Sequence, residues 1–175
     1  MLYDAHVHVG MFDDIESLVK CARLSNITPI CVGITLDESL HTLELFKAQN
    51  IKLPVFVGIH PWYLKDQKFD FSLIEKLLSF ENVVGIGECG LGMMLSVGHH
   101  ITFNQAKLNS VLEKVGLENF VLETDADFLH TGPYDPNLIK REYECICSLF
   151  SRTMDETEIV LENNLKRVIP KIATL

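Results

Sequence analysis

Short apolar runs alternate with stretches of helical period along most of this chain, and that order restricts the fold more than any other feature. Residues 2–9 are an apolar run ending in His6-Val7-His8, and residues 14–25 place Ile15, Leu18, Val19 and Ala22 at helical spacing. Residues 29–34 form a second run rich in β-branched side chains, after which Asp37 is placed to cap a helix carrying Leu40, Leu43 and Phe46 on one face. Residues 53–59 are a third run. Asp70 or Ser72 then caps a helix with Leu73, Ile74, Leu77 and Leu78, and Phe69 and Phe71 read as core residues at its start. Residues 82–88 are a fourth run. A β-α repeat of this kind predicts a parallel sheet with helices outside it, and the nearly all-apolar strands predict a sheet covered on both faces. In such sheets, functional residues gather at the C-terminal ends of strands, where His8, His60 and Glu88 fall.

The rhythm breaks after Glu88. Residues 93–97 are again apolar, but only Cys89-Gly90-Leu91-Gly92 separates them from Glu88. A parallel crossover needs roughly ten residues or more, so the two runs are not consecutive parallel neighbours. The later run either turns back antiparallel or sits elsewhere. The rhythm then resumes. Residues 105–115 carry Leu108, Val111, Leu112 and Val115 as a helical stripe, and residues 120–123 are a strand running into Thr124-Asp125. Pro136 fits the first turn of a helix reaching about residue 151, and Thr153 with Glu156 makes a capping box for a last helix whose Ile159, Leu165 and Val168 face inward.

Composition narrows the function classes. The 175 residues suit one domain spanning 1–175, and no apolar run is long enough for a membrane span. The first residues lack the basic and apolar regions of a signal peptide, so a cytoplasmic location is the expectation. The five cysteines, Cys21, Cys31, Cys89, Cys145 and Cys147, match no zinc module and are expected to be reduced and mostly buried. A net charge of -9 excludes broad electrostatic binding of nucleic acid, but not a nuclease whose dication supplies positive charge at one phosphate.

Three motifs carry candidate chemistry. In Asp4-Ala5-His6-Val7-His8 the two histidines, two apart on a strand, share a face and converge as metal ligands do; alone, they read equally as unrelated histidines. In Gly87-Glu88-Cys89-Gly90 a carboxylate ends an apolar strand between glycines, as a ligand contact or as a solvated turn residue. In Leu122-Glu123-Thr124-Asp125, Asp125 closes a strand as a metal ligand, a general base or the cap of a turn. Trp62 and Tyr63 follow His60-Pro61 at the same end, where packing over the sheet's mouth is favoured over stacking on a base. Lys65, Lys68, Arg141, Lys166 and Arg167 are too scattered for a basic groove.

Taken in order, these motifs resemble the TatD family of metal-dependent deoxyribonucleases and related hydrolases. Gly58-Ile59-His60-Pro61-Trp62, Gly87-Glu88-Cys89-Gly90-Leu91, Leu122-Glu123-Thr124-Asp125-Ala126 and Asn164 before Lys166-Arg167 add to the first motif, so the resemblance covers nearly the whole chain. It implies a TIM-barrel-like α/β metallohydrolase fold and phosphodiester hydrolysis, with DNA or a small phosphoester as substrate. His6, His8 and Asp125 would hold one divalent metal (Mg, Mn or Zn), and Glu88 would bridge it to a second. Asp125 and Glu88 would be catalytic, and His60 and Trp62 would lie on the substrate side.

The chain departs from that pattern in one place. A (β/α)₈ barrel typically takes about 250 residues. At residues 91–93 the family carries two further strands, each ending in a histidine for the second metal and the phosphate. Leu95-Ser96-Val97-Gly98 then resembles the family's seventh strand, Gly92 replaces an Asp, and Asp127 replaces a Pro. About six of eight β/α units are therefore expected, with one metal and a homodimer as one way to complete the barrel; His99 and His100 are the only obvious candidates to replace the lost ligands, and exposed turn histidines are the favoured reading of them. The alternative expectation is a catalytically impaired remnant binding one metal or none; a third is a one-metal ester or amide hydrolase.

Overall fold

The computed structural model describes residues 1–63, 65, 70–87, 95–98, 101–102, 106–126 and 132–174. Its elements run β1 (Leu2–Val7), α1 (Ile15–Leu24), β2 (Ile27–Val32), α2 (Leu36–Gln49), β3 (Val55–Val57), α3 (Phe71–Leu78), β4 (Val83–Ile86), β5 (Leu95–Val97), α4 (Ala106–Val115), β6 (Phe120–Leu122), α5 (Pro136–Phe150) and α6 (Met154–Val168). The helix starts follow their caps. Asp14 accepts from Ser17 N–H, Asp70 from Ser72 and Leu73, Asp135 from Asn137, and Thr153 with Glu156 forms the expected capping box. For α2 the cap is Thr35, not Asp37. Thr35 has the extended backbone a cap requires and accepts from Glu38 N–H, whereas Asp37 already lies in the first turn, where its charge opposes the positive helix end.

β1, β2, β3 and β4 form a parallel sheet in that order, and β5 pairs in parallel with β6. Of the run at 93–97, residues 95–97 lie beside β6 and not on β4. A parallel bridge between Val7 and Ala126 joins the two sheets, so the strands follow each other as β4-β3-β2-β1-β6-β5. Among the described residues the backbone join is made at the C-terminal ends. Nearer the start of β1, Tyr3 N–H donates to the Tyr143 hydroxyl, which in turn donates to Tyr3 C=O. The fold is an α/β, TIM-barrel-like arrangement left incomplete, and no closed barrel forms among the described residues.

Two apolar layers cover the sheet. On the outer face Val7, Cys31, Val55, Val57 and Val83 pack under Leu18, Leu43, Phe46 and Leu77, and a second outer cluster joins Leu2, Phe120 and Leu122 to Leu112, Ile139, Ile146 and Leu161. The inner face brings together Tyr3, Ala5, Ile30, Phe56, Val84 and Val121. Leu165, Ile169 and Ile172, from the end of α6 and the segment after it, pack into this cluster. An eight-stranded barrel fills its interior with side chains of its own strands. Here the C-terminal segment supplies part of that filling.

Several sequence expectations fail locally. Phe71 is 74% exposed, because six residues from buried Leu77 place it about 120° around the helix. Phe69 lies outside the described residues. Ile159 is also exposed, on the side of α6 opposite Leu161, and Val168 in the last turn is 39% exposed; only Leu165 of that trio faces inward. Val111 and Leu78 are likewise exposed beside their buried neighbours Leu112 and Leu77. Of the four described cysteines, all thiols, Cys31 is buried while Cys21, Cys145 and Cys147 are half-buried.

Candidate metal centre

The site is built where β1 and β6 end side by side. Between Asp4 and Val7, β1 advances three residues while β2 advances only two, from Pro29 to Cys31. The extra residue is a β-bulge, which re-aims the side chains beyond it. Before it, Tyr3 and Ala5 face inward and Asp4 outward; after it, Val7 lies in the outer core. His6 and His8 thus share a face, as their spacing predicts, and Asp4 does not share it with them. Asp4 is not a member of the ligand group.

Asp125 enters from the other strand. It adopts a left-handed backbone (φ 53°) just beyond β6, a conformation Asp tolerates better than most residues. Its N–H donates to His6 C=O at 3.1 Å, and His8 N–H donates to Ala126 C=O. These bonds fix the register of the two strand ends, and with it the three side chains. His6 Nε2 and His8 Nε2 are 3.2 Å apart, His8 Nε2 and Asp125 Oδ1 3.4 Å, and His6 Nε2 and Asp125 Oδ1 3.9 Å.

This donor set fits a divalent metal. Ligand atoms at ordinary Zn–N and Zn–O distances in a tetrahedron stand about 3.3 Å from one another, close to two of these separations. The protonation pattern agrees. His8 is 2% exposed and its Nδ1 lies 3.0 Å from Val32 C=O, so Nδ1 carries the proton and donates, leaving the Nε2 lone pair turned toward His6 and Asp125. On the far side of His6, Nδ1 lies 3.7 Å from Glu123 Oε2. Carboxylate or carbonyl partners behind the imidazoles are what orient metal-binding histidines. Glu123 was not singled out by the motif reading. The only signal available was its place two residues ahead of Asp125.

Behind the site stands a buried polar group that the motifs also left unassigned. Asp4, fully buried, accepts from Thr124 N–H (2.8 Å), Thr124 Oγ1 (2.7 Å) and Tyr134 OH (3.0 Å). Burial raises its carboxyl to about 6 against the pull of these hydrogen bonds. Burial, then the Asp4 charge, pushes the Tyr134 phenol well up, which keeps it a donor. Glu142, on the buried face of α5, has neither oxygen hydrogen-bonded among the described residues; burial first, then Asp4 and Glu123, lifts it to about 10.

Other expected site residues fall as follows. His60 is near but outside the ligand group, its ring 6.2 Å from that of His8. Its Nδ1 accepts from Trp62 N–H at 3.2 Å. Trp62 is 70% exposed rather than packed over the mouth of the sheet, because the 3₁₀ turn Pro61–Tyr63 carries it outward from the end of β3. Glu88, His99, His100, Gly92 and Asp127 lie outside the described residues. The glycines flanking the motifs have a packing cause. A Cβ on Gly58 would stand 2.3 Å from Gly87 C=O, and one on Gly87 would stand 2.8 Å from Phe56 Cβ.

Comparison with known proteins agrees with this geometry. The model of the family described as TatD related DNase matches residues 3–93 and 91–170, two segments that meet where the β-α rhythm breaks. An uncharacterized metal-dependent hydrolase of Buchnera aphidicola subsp. Baizongia pistaciae is 24% identical over 165 residues, covering 88% of this chain and 60% of the relative. The chain thus spans about three fifths of that relative's length. With ordered motifs, strand placement and a family model matched along nearly its whole length, the chain belongs to the TatD-related DNase family.

Proposed function

We propose that this protein is a divalent-metal-dependent hydrolase acting on phosphodiesters, with a DNA end as the substrate of first choice. The observation that carries the reading is the convergence of His6 Nε2, His8 Nε2 and Asp125 Oδ1 within 3.9 Å at adjoining strand ends. Family membership and the description of the Buchnera relative as a metal-dependent hydrolase support the same class of chemistry.

His6, His8 and Asp125 would hold the cation, with Glu88 as the further ligand that the family pattern suggests. When bound, a divalent cation polarises a phosphoryl oxygen and makes a water acidic enough to attack at neutral pH. The chain's own groups do the rest. Val32 C=O and Glu123 keep the two imidazoles in place. The carboxylate of Asp125 orients the attacking water and takes its proton. Burial of His8 and the apolar strand ends behind it limit competing solvent. Two histidine nitrogens and a carboxylate favour Zn, Mn or Fe(II) over Mg.

The test is hydrolysis of a labelled single-stranded oligodeoxynucleotide and of bis-p-nitrophenyl phosphate with Zn or Mn. Asp125→Asn, which keeps a side chain tolerant of the left-handed backbone, is expected to lower turnover at least about 100-fold with unchanged circular dichroism. Equal turnover in that variant would sink the mechanism. A second reading, a relative that binds metal without turnover, draws on the open arrangement of six described strands. It expects metal binding and no hydrolysis of either substrate.

A further inference from the structure

We propose that Glu38 is a positioning residue of the metal centre: its carboxylate locks the turn after β2 against the end of β1, and so fixes the carbonyl that orients His8. This rests on the metal-dependent reading above and adds to it what holds a ligand in place. α2 starts Thr35-Leu36-Asp37-Glu38, a capping-box sequence, in which the Glu side chain would reach back to the N–H of the cap residue. Here it reaches one residue further. Glu38 Oε2 accepts from Ile34 N–H at 3.0 Å, and Oε1 accepts from Thr42 Oγ1 at 2.9 Å. The helix start is already capped without that reach, because Thr35 Oγ1 accepts from Glu38 N–H.

What the carboxylate holds is the turn. Gly33 N–H still donates to Phe56 C=O, and the next donor along the chain, Ile34 N–H, goes to Glu38. Ile34 C=O in turn accepts from His60 N–H at 2.8 Å. Two residues before Ile34, Val32 C=O lies 3.0 Å from His8 Nδ1. On its other side the carboxylate abuts the 3₁₀ turn Val9–Met11 that follows His8. A Cβ on Gly10 would overlap Glu38 Oε1, and one on Gly33 would stand 3.2 Å from Glu38 Oε2. Glycine at both positions lets one carboxylate sit between the chain leaving β1 and the chain leaving β2. Hydrogen bonds to an ionised acceptor are roughly twice as strong as neutral ones, so the turn is firmly held. Without Glu38, the N–H of buried Ile34 is stranded and the turn shifts to find it a partner, carrying Val32 C=O away from His8 Nδ1. Carbonyl partners of this kind set the tautomer and the aim of a metal-binding imidazole.

The experiment compares Glu38→Ala, Glu38→Gln and Asp70→Ala in the intact chain, at a temperature where circular dichroism shows each variant folded. Asp70 caps α3 and takes no part in the ligand group, so its loss reports a weakened helix start alone. One readout is zinc affinity by isothermal titration. The other is the His8 Nδ1–H resonance of metal-free, isotope-labelled protein, assigned by its absence in His8→Gln. Glu38→Ala should weaken zinc binding at least about tenfold and lose the resonance. Glu38→Gln keeps an oxygen for Ile34 N–H and should bind zinc within about threefold of the parent. Asp70→Ala should bind as the parent does. Unchanged affinity in Glu38→Ala, an equal loss in Asp70→Ala, or no rescue by Glu38→Gln overturns the positioning role and leaves the metal centre standing. A parent that binds no zinc overturns the metal reading instead. The resonance then decides the role of Glu38: its persistence in Glu38→Ala overturns that role, and its loss there but not in Asp70→Ala supports Glu38 as the residue that fixes His8.

Discussion

Asp4 and Thr124 are joined by two hydrogen bonds, from Thr124 N–H and Thr124 Oγ1 to the two carboxylate oxygens, in a fully buried setting. The pair ties the middle of β1 to the residue that precedes Asp125. Asp4 shares a motif with His6 and His8, yet its work is to hold one strand end against the other. Asp4→Ala should cost about 3 kcal/mol of stability, since it strands buried donors on Thr124 and Tyr134. Zinc affinity should fall as well, because Asp125 loses its register with His8. Urea denaturation and isothermal titration check both effects. An unaffected zinc affinity would show that the Asp125 loop is held by other contacts.

Glu142 sets a pH dependence of stability. Its carboxyl is lifted from an ordinary value near 4.5 to about 10, chiefly by burial. Between those values the folded state holds the proton and the unfolded state has lost it. Stability from this group is therefore complete below about pH 4.5 and is lost as pH rises toward 10, on the order of 1 kcal/mol per pH unit. Glu142→Gln removes the titration. Urea midpoints at pH 6 and pH 8.5 should converge in the variant relative to the parent. A parent whose midpoint does not fall between those pH values would place the charged form of Glu142 in contact with water.

A metal at the strand ends should stabilise the fold by mass action. With zinc at 100 times its dissociation constant, the gain is about 2.7 kcal/mol, visible as a rise of several degrees in Tm that a chelator reverses. His6→Ala should abolish the rise while changing the Tm of the metal-free protein little, since His6 is half-exposed. Elemental analysis of the purified protein complements the melting curves. A zinc response that survives in His6→Ala would move the binding site elsewhere.

Gly58 lies close against the backbone of Gly87 where β3 and β4 end. A methyl group there meets the backbone oxygen of Gly87, which cannot swing aside as a side chain would. Gly58→Ala should cost about 2 kcal/mol and part the ends of β3 and β4, disturbing His60 two residues on. A two-dimensional NMR spectrum with shifts spreading from Gly58 to His60 is the expected readout. A variant as stable as the parent would mean the two strand ends separate freely.

Much of this molecule could be read before folding. The β-α order, the capping residues Asp70 and Thr153, the two histidines on one face and Asp125 at a strand end all follow from local chemistry. Backbone period, hydrogen-bonding side chains and strand alternation are properties of neighbouring residues. What depends on distant residues was not legible. The bulge that turns Asp4 away from His6 comes from how β1 registers against β2. The exposure of Phe71 and Ile159 depends on which helix face meets the sheet. The sequence break after Glu88 implied that the run at 93–97 was not the parallel neighbour of β4, but the place of residues 95–97 beside β6 was decided by pairing across the chain. The filling of the inner face by Leu165, Ile169 and Ile172, and the burial of Glu142, likewise arise only when elements more than a hundred residues apart are packed together, because burial is a property of the assembled surface and not of any segment alone.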